Sequence, residues 1–372
     1  MKFSIIMPTH NHAGFIFDAI DSIRSQTYTN WELVIVNDGS TDQTHEIIEE
    51  YAKLDSRITV CHKLNGGTVS ALNYALQKTN GDWIFWLSSD DLFEPIKLEV
   101  HYNFIAANKN VDFIHTNHKL LDNSNLKIYN SDFDVINFVG NSINQTIRLL
   151  ELNYINGITI SFSRLAFQEI GFFDYILRAG HDFDYWLRLS LKYKINYINQ
   201  RLSTTRIHPG QDTAKSVSRG LFDSGISAFN ILKFHPNLLF INSFNNESNQ
   251  IDFLKSCLRV VLNKKSYINF CGFENYFMAH LSRWIKFNFD ITSINILKSE
   301  IKKNPELNSL ISFLSSDQDL DLKYISINSN PFKIINEMYS SNLIPDLDLK
   351  YEAKKYIASI HEHEFGFLNS NF

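Results

Sequence analysis

Trp83-Ile84-Phe85-Trp86-Leu87-Ser88-Ser89-Asp90-Asp91 is an apolar run that stops at two serines and delivers two adjacent carboxylates. Five bulky apolar residues in a row read as a strand buried on both faces. A buried strand that ends in paired acids puts negative charge at the carboxyl edge of a sheet. In open α/β folds that edge is where ligands bind. Neighbouring carboxylates repel, so the pair is unfavourable unless a cation or a proton offsets it. Their hard oxygens suit Mg²⁺ or Mn²⁺, which usually bridge to substrate phosphates rather than sit in an all-protein cage. The same pair also reads as a helix N-cap, because Pro95 follows.

Upstream of this run the chain alternates strand and helix. Phe3 to Met7, Glu32 to Val36 and Arg57 to His62 have strand character. Ala13 to Gln26, Thr44 to Leu54 and Thr68 to Gln77 carry apolar residues at helical spacing, such as Phe15, Ile16, Ala19, Ile20 and Ile23. Four βα units imply a mostly parallel sheet flanked by helices, with right-handed crossovers. The loops at the strands' carboxyl ends then share one face. They are Pro8-Thr9-His10-Asn11, Asn37-Asp38-Gly39-Ser40, Asn65-Gly66-Gly67 and Ser88-Ser89-Asp90-Asp91. Adjacent glycines before a helix allow close backbone approach, and helix N–H groups suit an anion. Asn65-Gly66-Gly67 also reads as an ordinary turn.

Downstream the pattern is mixed. Asn156 to Phe162 and Asn196 to His208 read as strands around a helix at Asp184 to Leu191. Past Ser216 the strand signal fades, and Phe222, Ile226, Phe229 and Leu232 keep helical spacing, as do Leu254, Leu258 and Val261. Asn242 to Gln250 reads as a loop, and Pro305, Pro331 and Pro345 break the tail into short pieces. The expected organisation is therefore an α/β domain over 1–215 and a mainly α-helical region over 216–372. A length of 372 residues suits about two domains.

Composition narrows the function. A formal net charge of -5 lacks the basic footprint of a nucleic-acid binder. Cys61, Cys257 and Cys271 have no metal-type spacing and read as reduced thiols of a cytoplasmic protein. No apolar run is long enough for a transmembrane helix, and the N-terminal stretch is too short for a signal peptide. His361-Glu362-His363-Glu364 reads as a solvated tail, since histidines two apart do not share a helix face.

Five segments together resemble the family 2 glycosyltransferases, inverting enzymes of the GT-A (Rossmann-like) fold. They are Ile6-Met7-Pro8-Thr9-His10-Asn11, Trp31 to Asp42, Asn65-Gly66-Gly67 with Ala71-Leu72-Asn73, Ser88-Ser89-Asp90-Asp91, and His181-Asp182-Phe183-Asp184-Tyr185-Trp186-Leu187-Arg188-Leu189. The resemblance covers residues 3–208 and says nothing of the remainder. It implies transfer of a sugar from a nucleotide sugar, most simply a UDP-sugar, to a hydroxyl of a glycan or lipid-linked acceptor. The setting would be synthesis of a bacterial surface polysaccharide or glycoconjugate. The protein would be cytoplasmic, with a peripheral place at the inner face of the membrane if the acceptor is lipid-linked.

The resemblance also assigns residues. Asp38 would accept the ring N–H of uracil, although a turn aspartate can bond its own backbone instead. Pro8, Thr9, His10 and Asn11 would lie against the nucleoside, and Asn65, Gly66, Gly67 and Asn73 would belong to the nucleotide-sugar site. Asp91, with Asp90, would hold a divalent cation, Mn²⁺ or Mg²⁺, that neutralises the leaving diphosphate. His208 would be a further metal or diphosphate contact and Arg206 a diphosphate contact. Asp182 would be the general base that takes the acceptor's proton, against the plainer reading of a helix cap. The chain departs from the family at Leu72, where Arg is common, at Ser88, and at His181, which replaces the first acid of a Glu-Asp pair. His181 either bears on acceptor selectivity or is incidental. These departures keep open a second class, a non-catalytic nucleotide- or sugar-binding module on the same fold. A nucleotidyltransferase would want a basic Gly-rich first loop, which Pro8-Thr9-His10-Asn11 does not supply.

Overall fold

The first hundred residues fold as their periodicity requires. Strands β1 (Phe3–Thr9), β2 (Trp31–Asp38), β3 (Ile58–Lys63) and β4 (Trp83–Trp86) alternate with helices α1 (Ile16–Arg24), α2 (Thr44–Leu54) and α3 (Thr68–Lys78). The strands lie parallel in the order β3-β2-β1-β4, with Phe3 beside both Trp31 and Trp83. Side chains along β1 alternate between two cores. Phe3, Ile5 and Met7 pack with Ile16, Ala19, Ile20 and Ile23 of α1, while Ile6 packs with Val69, Leu72, Ala75 and Leu76 of α3. Each fully buried aliphatic side chain contributes about 1.5–3 kcal/mol, so the three-layer sandwich is well supported by α1 and α3 alone.

The computed structural model describes residues 1–124, 126–130 and 145–211, with scattered positions between 220 and 302. Its second half comprises β5 (Leu92–Phe93), α4 (Lys97–Ala107), β6 (Phe113–Asp122), β7 (Lys127–Asn130), α5 (Gln145–Glu151), β8 (Ser161–Ser163), α6 (Arg164–Ile170), α7 (His181–Lys192) and β9 (Ile195–Ile207). The sheet continues β4-β8-β6-β9-β5, with β7 pairing β6. Here the pairing is mixed. β8 runs antiparallel to both β4 and β6, and β9 runs parallel to β6. The mostly parallel sheet is therefore the first four strands of a mixed one.

One expected strand is largely something else. Asn156 to Phe162 forms a 3-10 turn at Gly157–Thr159 and only then enters β8. The Asn156 side chain accepts the Ile158 N–H at 3.2 Å and curls the backbone. Gly157 lies flat on Trp86, where a Cβ would sit 2.7 Å from the indole. This turn becomes one wall of the cavity below.

The mainly helical region over 216–372 lies for the most part outside the described residues, as do the Asn242 to Gln250 loop, the three prolines, Cys271 and the 361–364 histidines. Among the positions described there, Ala228, Ile231, Cys257, Val260, Leu281 and Ile285 are buried in the same core as Trp186 and Leu189 of α7. Cys61 and Cys257 are free thiols, both pushed up by burial. Among the described residues no helix is long and apolar enough to cross a membrane.

Candidate active site

The carboxyl ends of β1, β2 and β4 open into one cavity of about 1140 Å³. Of the residues singled out by sequence, Pro8, Thr9, His10, Asn11, Asp38, Asn65, Gly67, Asp90, Asp91, Asp182 and His208 line it. The loops are stitched to one another. Asn11 accepts the Thr41 N–H at 2.7 Å, and its own N–H donates to Ser40 at 3.0 Å. His12 meets Ser89 at 2.7 Å, tying the first loop to the acidic one. The Thr9 hydroxyl is buried in this wall without a hydrogen-bond partner among the described residues.

Asp38 ends β2 and is buried. Its carboxylate accepts from the Gly66 N–H at 3.0 Å and the Gly67 N–H at 2.8 Å, and pairs with Lys63. The anion facing the glycine N–H groups is thus Asp38 itself. Gly39 permits this closure, since at φ +75° a Cβ there would lie 2.9 Å from the Asn65 nitrogen.

The paired acids close the far side. Asp91 accepts the Arg206 N–H at 2.8 Å, and Asp90 Oδ2 lies 3.1 Å from His208 Nε2. Burial, then the charge of Asp90, holds the Asp91 carboxyl well above the ordinary carboxylate range. The Gly210 N–H points at His208 Nδ1 at 3.2 Å, so the fitting tautomer carries its proton on Nε2 and donates to Asp90. In that tautomer His208 is a donor; binding a cation through Nε2 would require it to turn from Gly210. Among the described residues no three His, Cys, Asp or Glu side chains converge as a ready-made metal cage. The donor set still fits a hard cation. Mg²⁺ and Mn²⁺ are commonly held by one or two carboxylates with phosphate oxygens completing the shell. A cation would also offset the repulsion that raises Asp91.

Asp182 stands in the first turn of α7 and also faces the cavity. The cap position is Gly180, which offers no side chain, so Asp182 is not the N-cap. Its carboxylate accepts the Phe183 N–H at 2.7 Å and is hydrogen-bonded by the Asn153 side chain. Burial raises its pKa, against the opposing pull of His181 and these hydrogen bonds. A carboxylate beside a helix N-terminus with a raised pKa is a suitable base near neutral pH.

Three assignments change. Asn73 is wholly buried, with its amide donating to the Phe173 carbonyl and accepting the Phe173 N–H, both at 2.9 Å. It fastens α3 to the loop before α7 and does not reach the cavity. The Arg206 guanidinium bonds the Asp90 carbonyl and Asp18, each at 2.9 Å, so it anchors the acidic loop and does not line the cavity. Gly66 serves through its N–H to Asp38 rather than as lining. Leu72 is plain core.

These features occur on a recognisable chain. A model of glycosyl transferase family 2 matches residues 4–171. An uncharacterised glycosyltransferase of Rickettsia typhi is 33% identical over 217 residues, spanning 58% of this chain and 67% of the relative. The chain belongs to glycosyl transferase family 2. Its fold is also that of two solved structures. Staphylococcus aureus TarS 1–349 in complex with UDP-GlcNAc superposes with a TM-score of 0.51 at 18% identity, over 84% of this chain and 89% of that one. The Pyrobaculum calidifontis mannosyltransferase PcManGT, in complex with GDP-Man and Mn²⁺, gives a TM-score of 0.53 at 15% identity over 84% of each chain.

For this family 2 glycosyltransferase, several cavity residues had no local sequence signal. Lys63 is not itself lining, but it holds Asp38 and ends β3 like any surface lysine. Trp86 reads as core and Gly157 as part of a strand. Asn153 and Arg178 sit in stretches without a pattern, yet line the cavity with Asp182. His181 was visible only as a departure from the family.

Proposed function

We propose that the chain is an inverting glycosyltransferase that moves a sugar from a nucleotide sugar, a UDP-sugar by preference, to an acceptor hydroxyl. The observation that carries this reading is that Asp91 and Asp182, both with raised pKa, face one cavity at the carboxyl edge of the sheet. Asp90 and Asp91 would hold Mn²⁺ or Mg²⁺ beside the diphosphate, with His208 donating to it or joining the cation. A bound cation supplies charge neutralisation for the leaving nucleoside diphosphate. Asp182 takes the acceptor proton as that oxygen attacks the anomeric carbon from the face opposite the diphosphate. The single displacement inverts the anomeric centre, by the logic of inverting glycoside hydrolysis.

The Pro8 to Asn11 loop and Asp38 form the nucleoside end. The uracil contact requires Asp38 to share its carboxylate with Lys63 and the glycine N–H groups. A glycan or lipid-linked acceptor in surface polysaccharide or glycoconjugate synthesis suits the family, with a place at the inner membrane face for the lipid-linked case. The UDP-GlcNAc complex of TarS supports a UDP-sugar, and the Mn²⁺ complex of PcManGT supports the cation. The division into 1–215 and 216–372 is part of this proposal.

A binding module without turnover is the second reading, favoured by the occupied Asp38 carboxylate. Mass spectrometry of reactions with a panel of UDP- and GDP-sugars, with Mn²⁺ or with EDTA, separates the two. Cation-dependent release of UDP is the expected result. Tight UDP binding with no turnover of any donor would favour the module.

A further inference from the structure

The cavity has an aromatic floor whose polar atoms are unused. His181 lines it at 8% exposure, and neither ring nitrogen has a hydrogen-bond partner among the described residues. Its ring lies 5.8 Å from Trp86 and 6.0 Å from Phe173. Trp86 lines the same floor at 7% exposure, and its indole N–H is likewise buried without a partner. Buried polar groups in folded proteins are nearly always paired with protein, water or ligand. An unpaired one is unfavourable, so two such groups in contact on a cavity floor point to a ligand that pairs them.

Position names the ligand. Trp86 ends β4, the strand whose next turn carries Asp90 and Asp91. His181 precedes Asp182. The floor therefore lies between the diphosphate end and the base, where the transferred sugar must sit. An aromatic face covers the C–H face of a pyranose. A neutral imidazole has one N–H and one lone pair, so it both donates to and accepts from hydroxyls. A glutamate at 181 would only accept, and would add a second negative charge beside Asp182.

We propose that His181, seated on Trp86, is a specificity-determining residue that reads a hydroxyl of the donor sugar. The proposal rests on the nucleotide-sugar reading of the cavity. A site that pairs its buried polar atoms with a substrate hydroxyl strongly rejects an analogue that lacks or misplaces it.

The test compares wild-type with His181→Phe and His181→Gln by calorimetry in Mn²⁺. The probes are UDP, UDP-glucose, UDP-galactose, UDP-GlcNAc and UDP-GalNAc. Phe keeps a ring between Trp86 and Phe173 but removes both nitrogens; His181→Ala carries the same comparison if Phe does not fold. UDP affinity should stay within about twofold. The wild-type preference among the four sugars should shrink at least tenfold in Phe and recover in part in Gln, whose amide also donates and accepts. The His181 side-chain nitrogen resonances should move with the preferred UDP-sugar and not with UDP. Wild-type discrimination in His181→Phe, or resonances unmoved by every sugar, would overturn the proposal. Failure of the underlying reading has a different signature, in which the wild-type protein binds none of the five probes.

Discussion

At the residue scale the decisive groups are carboxylates whose environments do not suit their charge. Asp91 is the clearest, buried and beside Asp90. Its folded pKa lies above the unfolded value of about 3.9. Its contribution to stability is thus complete below that value and is lost as pH rises through the folded pKa. Asp91→Asn removes the charge while its oxygen still accepts the Arg206 N–H. Without added metal at neutral pH, we expect this variant to melt above wild type, because the buried negative charge beside Asp90 is gone. We also expect it to lose any stabilisation by Mn²⁺ with UDP, and thermal melts with Mn²⁺ or EDTA check both. An unchanged Mn²⁺ effect in Asp91→Asn would remove the metal assignment. Asp90 and Asp91 were legible as cavity-facing acids because a strand that ends in paired carboxylates is a short local pattern, whereas Asp182 was placed by the resemblance to the family. Asn73 and Arg206 misled because their partners, Phe173, Asp90 and Asp18, are distant in sequence. Only the fold shows that those side chains are already used.

At the element scale, α7 carries Asp182, the proposed base, and its entry is fixed from outside the family match. Asp223 accepts the Ala179 N–H at 2.8 Å and the Gly180 N–H at 3.2 Å, immediately before His181, the first residue of α7. Asp223→Ala leaves both N–H groups unpaired, a penalty of about 1–3 kcal/mol each. It should lower the melting temperature and reduce transfer more than UDP affinity, as measured by melts, turnover and calorimetry on one variant. Equal losses in turnover and UDP affinity would place Asp223 among general packing residues. Helix α7 itself was legible from its apolar spacing, with bounds three residues earlier and one later than expected. The Asn156 to Phe162 segment was not, because its 3-10 turn depends on Gly157 meeting Trp86 across the sheet. Strand propensity cannot report such a contact.

At the scale of the whole molecule, repeated βα units announced the parallel half of the sheet. The mixed half depends on long-range pairings such as β6 with β9, where periodicity carries no direction. Among the described residues the outcome is an acidic cavity with a cation-suited end at Asp90 and Asp91 and with Asp182, the proposed base, on its wall. Because that base is raised by burial, turnover should climb with pH along an acid limb displaced above the ordinary carboxylate range, and a pH profile of kcat reads it. The most direct test is Asp182→Asn, assayed for kcat and for UDP affinity on the same preparation. The amide keeps the side chain's shape but cannot take a proton. Turnover should fall by about 10²–10⁴, while UDP affinity changes by less than about 1 kcal/mol. Wild-type turnover in Asp182→Asn would contradict the account.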